Sequence, residues 1–203
     1  TINIYGFAKG SGMIHPNMGT MLVYLFIDAK ISNSILKKII NKNIEQTFNS
    51  ISVDGDTSTS DTLAIFSLDK KNINTNKLVN LKKISSEIYK IMNDLAQQVI
   101  RDGEGLSKLI EVTVNKAKNK NQAKNIAFSI VNSPLVKTAI TGEDANWGRV
   151  IMAIGKSYEK INQNKIIIAF GNNIVCKNGS IYNKINYKKI DKYMENKIIK
   201  ITI

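Results

Sequence analysis

Lys9-Gly-Ser-Gly-Met-Ile-His-Pro-Asn-Met-Gly-Thr-Met-Leu22 sets a glycine carbonyl directly before a threonine hydroxyl, and a run of strand-forming residues follows at once. The Gly19-Thr20 bond is the centre of this stretch. A threonine that attacks the preceding carbonyl shifts the acyl group from nitrogen to its own oxygen, and hydrolysis of that ester frees an amino-terminal threonine. Such a residue carries nucleophile and base together, because its α-amine, with an ordinary pKa of about 7.7–8, accepts a proton near neutral pH. By itself a Gly-Thr pair marks a turn running into a strand as readily as a cleavage point.

Outward from this stretch, the apolar pattern predicts alternating strands and helices. Met21 to Asp28 reads as a buried strand that starts at Thr20, with Val23, Tyr24, Phe26 and Ile27 as its β-formers. Ser32 or Asn33 can cap a helix through Ile35, Leu36, Ile39, Ile40 and Ile44. Strands are expected near 49–53 and 62–68, on either side of a polar loop at 54–60. The stripe Leu81, Ile84, Ile88, Ile91, Leu95 and Val99 predicts a helix over 77–101, with Gly103 just past its end. Further expectations are a strand at 109–114, a helix at 119–132 ended by Ser133-Pro134, a helix from Asn146 or Trp147 to about Met152, and strands at 166–170 and 198–203. The class is therefore α/β or α+β, with helices packed on sheets.

Three more segments arrive in order behind the first: Ser52-Val-Asp-Gly-Asp-Thr-Ser-Thr-Ser-Asp-Thr62, Asp102-Gly-Glu-Gly105, and Ser133-Pro-Leu-Val-Lys-Thr-Ala-Ile-Thr-Gly-Glu-Asp-Ala-Asn-Trp-Gly-Arg149. Together the four strongly resemble the β-chain region of the ornithine acetyltransferase family, also called glutamate N-acetyltransferase or bifunctional arginine-biosynthesis protein. The resemblance runs from the first residues to about Gly155. It implies layered sheets flanked by helices, the self-processing ornithine acetyltransferase or aminopeptidase-like fold. It also implies a precursor that cuts itself at Gly19-Thr20, so that residues 1–19 end an α chain and 20–203 form most of a β chain. Thr20 would then take acetyl from N-acetylornithine, release ornithine, and pass the acetyl to glutamate to give N-acetylglutamate. No cofactor is implied; acetyl-CoA is a possible second donor. The α chain is the expected partner, in an assembly of two α and two β chains.

Two more site residues are carried over by motif. Lys9 matches the family's substrate-contacting lysine, and a cation there suits a substrate carboxylate. Glu104 matches its substrate-binding glutamate, where a carboxylate can pair with an amino-acid ammonium group and orient it. Read without the resemblance, Lys9 is a solvated surface lysine and Glu104 a charged turn residue. The 54–62 loop has the alternating oxygens of a calcium loop in Asp54, Asp56 and Ser58. It carries Thr59 where such a loop needs glycine and Ile65 where it needs glutamate, so it reads as a turn network supporting the site, not a metal site. Gly10-Ser-Gly12 is no dinucleotide fingerprint, since the third glycine position is His15.

Composition limits the alternatives. The 203 residues suffice for one domain or two closely packed lobes, and 43% hydrophobic content is ordinary for a globular protein. The apolar run 21–27 is far shorter than the roughly 20 residues of a membrane helix, and no signal peptide is visible. The single cysteine, Cys176, forms no internal disulfide and fits a reducing compartment, with a cytoplasmic location expected. The net charge of +13 comes from lysines dispersed among asparagines and isoleucines, without a nucleic-acid motif. His15 is the only histidine. It is expected to pack or hydrogen-bond near the site, and Asp144 or Asn146 has a smaller claim to touch it.

Departures from the family pattern shape the remaining expectations. Gly19 stands where alanine is usual. The family's paired threonine and glycine that stabilise the oxyanion lie in an α-chain half not present here, and a closing asparagine and hydroxyl residue would follow Ile203. The chain thus reads as a fragment of the enzyme, with an inactive structural fragment and a related N-terminal-threonine aminopeptidase or amidohydrolase as the alternatives.

Overall fold

Val23, Leu25 and Ile27 are fully buried while their neighbours on the strand are half-exposed, the alternation expected of a strand with one face on a core. A computed structural model describes residues 2–15, 21–57, 60, 62–72 and 77–203. The chain divides into two units, Thr1–Gly105 and Leu106–Ile203.

In the first unit β1 (Ile4–Lys9) and β2 (Leu22–Ile27) pair antiparallel, α1 (Asn33–Ile44) follows, β3 (Thr62–Ser67) pairs parallel to β2, and α2 (Leu78–Arg101) closes the unit. β2 is the central strand. Leu36 and Ile39 of α1, and Ile84, Ile88, Met92, Leu95 and Val99 of α2, share one core with the inner face of β2. The helical stripe read at 77–101 is thus the packed face. Gly6 lets β1 lie close to α2: a Cβ there would sit 2.7 Å from Leu25 Cδ2 and 2.9 Å from Leu95 Cδ1. The other face of the sheet is aromatic, with Phe7 5.8 Å from Tyr24, Phe26 stacked on Phe66 at 5.0 Å, and Phe7 and Phe66 exposed.

The second unit is built on a five-stranded sheet whose elements are β4 (Leu109–Thr113), α3 (Lys120–Val131), α4 (Pro134–Thr141), α5 (Trp147–Gly155), β5 (Ile167–Phe170), β6 (Asn173–Lys177), β7 (Ser180–Ile181), α6 (Tyr187–Met194) and β8 (Ile198–Thr202). Its strand order is β4-β8-β5-β6-β7, with β4 and β8 parallel and the remaining pairs antiparallel. Ile130, Ile154, Ile168, Phe170, Met194, Ile199 and Ile201 fill the core between sheet and helices. The protein is thus mixed α/β, two sheets flanked by helices. Cys176 is a buried residue of β6, and burial pushes its thiol pKa up.

Several elements differ from the sequence expectation. The strand expected at 49–53 is instead a single 3-10 turn at Phe48–Ser50 followed by irregular chain. Local side-chain bonds win there: Thr47 Oγ1 donates to the Asn43 carbonyl at 3.0 Å, Ser50 Oγ to the Glu45 carbonyl at 2.7 Å, and Asn49 Nδ2 to Glu45 Oε1 at 2.6 Å. Strand β1 was not expected. Ser133-Pro134 ends α3 and also starts α4, with Ser133 Oγ accepting from Val136 N and the proline at the first turn. Helix α6, capped by Asn186, was also missed.

Candidate functional site

The loop that follows β1 is fastened at three points. Ser11 presents its carbonyl to the backbone N–H of Glu104 at 2.8 Å, and Ile14 presents its carbonyl to the N–H of Val53 at 2.8 Å. Between them the N–H of Met13 donates to Asp54 Oδ2, while Asp56 N donates to Asp54 Oδ1 at 2.9 Å. Met13 takes a positive φ of 54° and Gly10 one of 151°, so the loop twice enters backbone regions that favour glycine within four residues.

These bonds gather the pieces of two motifs. Lys9 is the last residue of β1, exposed, and paired with Leu22, two residues after Thr20. Glu104, in the turn beyond α2, is tied by its backbone to Ser11, two residues after Lys9. A Cβ on Gly12 would stand 3.2 Å from Glu104 Oε2 and 3.5 Å from Asp54 Oδ2, so both carboxylates come close to the side-chain position that this glycine leaves empty. Gly105, with φ at 68°, lets the chain leave this turn in a conformation that a side chain disfavours. Gly19 and Thr20 lie outside the described residues.

Burial acts to raise the pKa of Asp54, but the N–H groups of Asp56, Met13 and Ile14 outweigh it, and the carboxyl is held below its ordinary value. The group is an anion at any pH near neutrality. Among the described residues no three His, Cys, Asp or Glu side chains come together as metal ligands, and no helix is long and apolar enough to cross a membrane. Sequence reasoning found the oxygen-rich spacing around Asp54 but not its bond to Met13.

Asn146, considered as a processing-site contact, is engaged locally: its Oδ1 caps α5 by accepting from Arg149 N at 3.0 Å, and its Nδ2 donates to Asp144 at 3.0 Å. The tryptophan beside it packs against the second core.

A model of the ArgJ family matches residues 1–203. Among curated proteins, the arginine biosynthesis bifunctional protein ArgJ of Bartonella henselae is 46% identical over 206 residues, covering 100% of this chain and 50% of its own length. ArgJ 2 of Clostridium acetobutylicum is 48% identical over 194 residues, covering 95% of this chain and 48% of its own. The chain spans about half the length of the curated relatives it matches. Among solved structures, the crystal structure of the arginine biosynthesis bifunctional protein argJ from Bacillus halodurans superposes with a TM-score of 0.78 at 36% identity, over 89% of this chain and 85% of that one. With its whole length matched by the family model and with the same fold as a solved member, this chain belongs to the ArgJ family.

Proposed function

We propose that the protein to which this chain belongs is an arginine-biosynthesis N-acetyltransferase that moves acetyl from N-acetylornithine to glutamate, with Thr20 as nucleophile after autoproteolysis at Gly19-Thr20. The observation that supports the reading is the backbone bond between Glu104 and Ser11, which ties the glutamate of one motif to the loop that begins at Lys9 in another. The names of the relatives, bifunctional proteins of arginine biosynthesis, agree with it.

In the first half-reaction the Thr20 hydroxyl attacks the acetyl carbonyl of N-acetylornithine, and the freed α-amine of Thr20 accepts the hydroxyl proton. Collapse breaks the C–N bond, the proton passes to the departing ornithine nitrogen, and an acetyl ester remains on Thr20. In the second half the amine of glutamate attacks the ester, its proton returns through the α-amine to the threonine oxygen, and N-acetylglutamate leaves. Lys9 pairs with a substrate carboxylate; Glu104 pairs with the free ammonium of N-acetylornithine and, in the second half, accepts a hydrogen bond from the neutral amine of glutamate, which holds that amine on line with the ester. Acetyl-CoA is a further donor in bifunctional members. The working assembly is two α and two β chains in the cytoplasm, where the buried thiol of Cys176 stays reduced.

Intact mass spectrometry of the full-length protein, before and after incubation with N-acetylornithine, tests this. The expected result is two chains parted at Gly19-Thr20, an added acetyl on the chain that begins with Thr20, and its loss to glutamate. An uncut, unacetylated chain overturns the reading. Acetate released whether or not glutamate is present would make the protein a hydrolase.

A further inference from the structure

We propose that Asp54 is a positioning residue, one that holds the Gly10–Ile14 loop and, across Gly12, sets where the Glu104 carboxylate stands. The proposal rests on the transferase reading above. Of the three fastenings on this loop, two are backbone to backbone and would tolerate many side chains. The third depends on the Asp54 carboxylate alone. It receives the N–H of Met13, a residue with a side chain in the left-handed region, where the backbone is sparsely populated without support. Asp56 N donates to the other oxygen at 2.9 Å, so both oxygens of this exposed carboxylate are engaged by backbone. Its depressed pKa keeps both oxygens as acceptors through the neutral range.

The consequence falls on Glu104. Its Oε2 and Asp54 Oδ2 both crowd the one place a side chain on Gly12 would occupy, 3.2 Å and 3.5 Å from it. Asp54 therefore acts on Glu104 twice: through the loop, whose Ser11 carbonyl binds the Glu104 N–H, and through a negative charge held beside the same point of Gly12. An amide in place of the carboxylate presents only one acceptor oxygen, while Met13 N and Asp56 N bond to different oxygens of the native group. The loop then relaxes at Met13, and the glutamate shifts relative to Lys9. Displacements near 1 Å at a substrate-orienting group cost up to about a hundredfold in rate.

The test uses the full-length protein with Asp54→Asn and, as a second probe, Gly12→Ala, each alone and combined with Glu104→Gln. Gly12 does not take a positive φ, so alanine is tolerated by the backbone and acts only by pressing on Glu104 and Asp54. We expect each single variant to lower kcat/KM for acetyl transfer by about ten- to a hundredfold while the melting temperature stays close to wild type. In the Glu104→Gln background the further loss should shrink to about twofold or less, because both changes act through one carboxylate. Wild-type kcat/KM in Asp54→Asn, or a loss that persists in full without Glu104, overturns the proposal. If Asp54→Asn does not fold, Gly12→Ala decides alone, and an unchanged kcat/KM there is equally fatal. A wild-type protein that moves no acetyl refers the failure to the transferase reading, not to Asp54.

Discussion

At Asp28, where β2 runs out, one buried carboxylate meets three donors: Lys71 Nζ at 2.6 Å, the backbone N–H of Asn3 at 2.7 Å and Asn3 Nδ2 at 3.0 Å. The Lys71 bond and then the Asn3 N–H lower its pKa, against a smaller opposing effect of burial. A carboxylate with a depressed folded-state pKa adds stability that is present above its unfolded value, near 3.9, and is lost as pH falls through the folded one. Asp28→Asn should therefore be less stable than wild type at pH 7, and the two urea midpoints should converge as the pH is taken below about 4. Parallel midpoint curves would show that this carboxylate titrates alike in both states. Asp54 is the same chemistry put to a different use. Its oxygen-rich surroundings were visible in the sequence, but its partner Met13 lies 41 positions upstream, and only the fold brings them together.

Among the elements, the long periodic ones were legible and the locally ambiguous ones were not. The stripe from Leu81 to Val99 became α2 because four of its residues, Ile84, Ile88, Leu95 and Val99, are buried in the core shared with β2, and β2 followed from its β-branched and aromatic run. The 49–53 segment carries strand-like residues, yet the side chains of Asn49 and Ser50 bond back to Glu45 at the end of α1 and hold the start of the segment in a turn, a competition that hydropathy does not register. β1 was hidden by Gly6, a poor strand former whose bareness is what admits α2. Ser133-Pro134 was read only as a stop. The pair also has the form of a start, hydroxyl cap then proline at the first turn. Ser133→Ala should cost about 0.5–1 kcal/mol in denaturant unfolding, the low side of the usual range because the capping bond is 3.4 Å long. A variant as stable as wild type would mean that the proline alone starts α4.

For the molecule as a whole, the order of four motifs identified the family, and the fold then explains the placing of three of them in the first unit: the β1 loop, the Asp54 turn and the Glu104 turn are fastened to one another by backbone and carboxylate bonds. None of those bonds could be read from spacing, since each joins segments tens of residues apart. The ladder between β1 and β2 has a consequence for the proposed scission. Six residue pairs, from Ile4 with Ile27 to Lys9 with Leu22, join the strand before Gly19-Thr20 to the strand after it. Breaking that bond would turn an internal ladder into a seam between two polypeptides, with β1 still laid against Leu95 through Gly6. Native mass spectrometry of the cut protein should then find both pieces in one particle that only denaturant parts; a free upstream piece under native conditions would show the seam too weak to hold. Lys9 would be lent to Thr20 and Glu104 by a different molecule, and the site would last only as long as the seam stays closed.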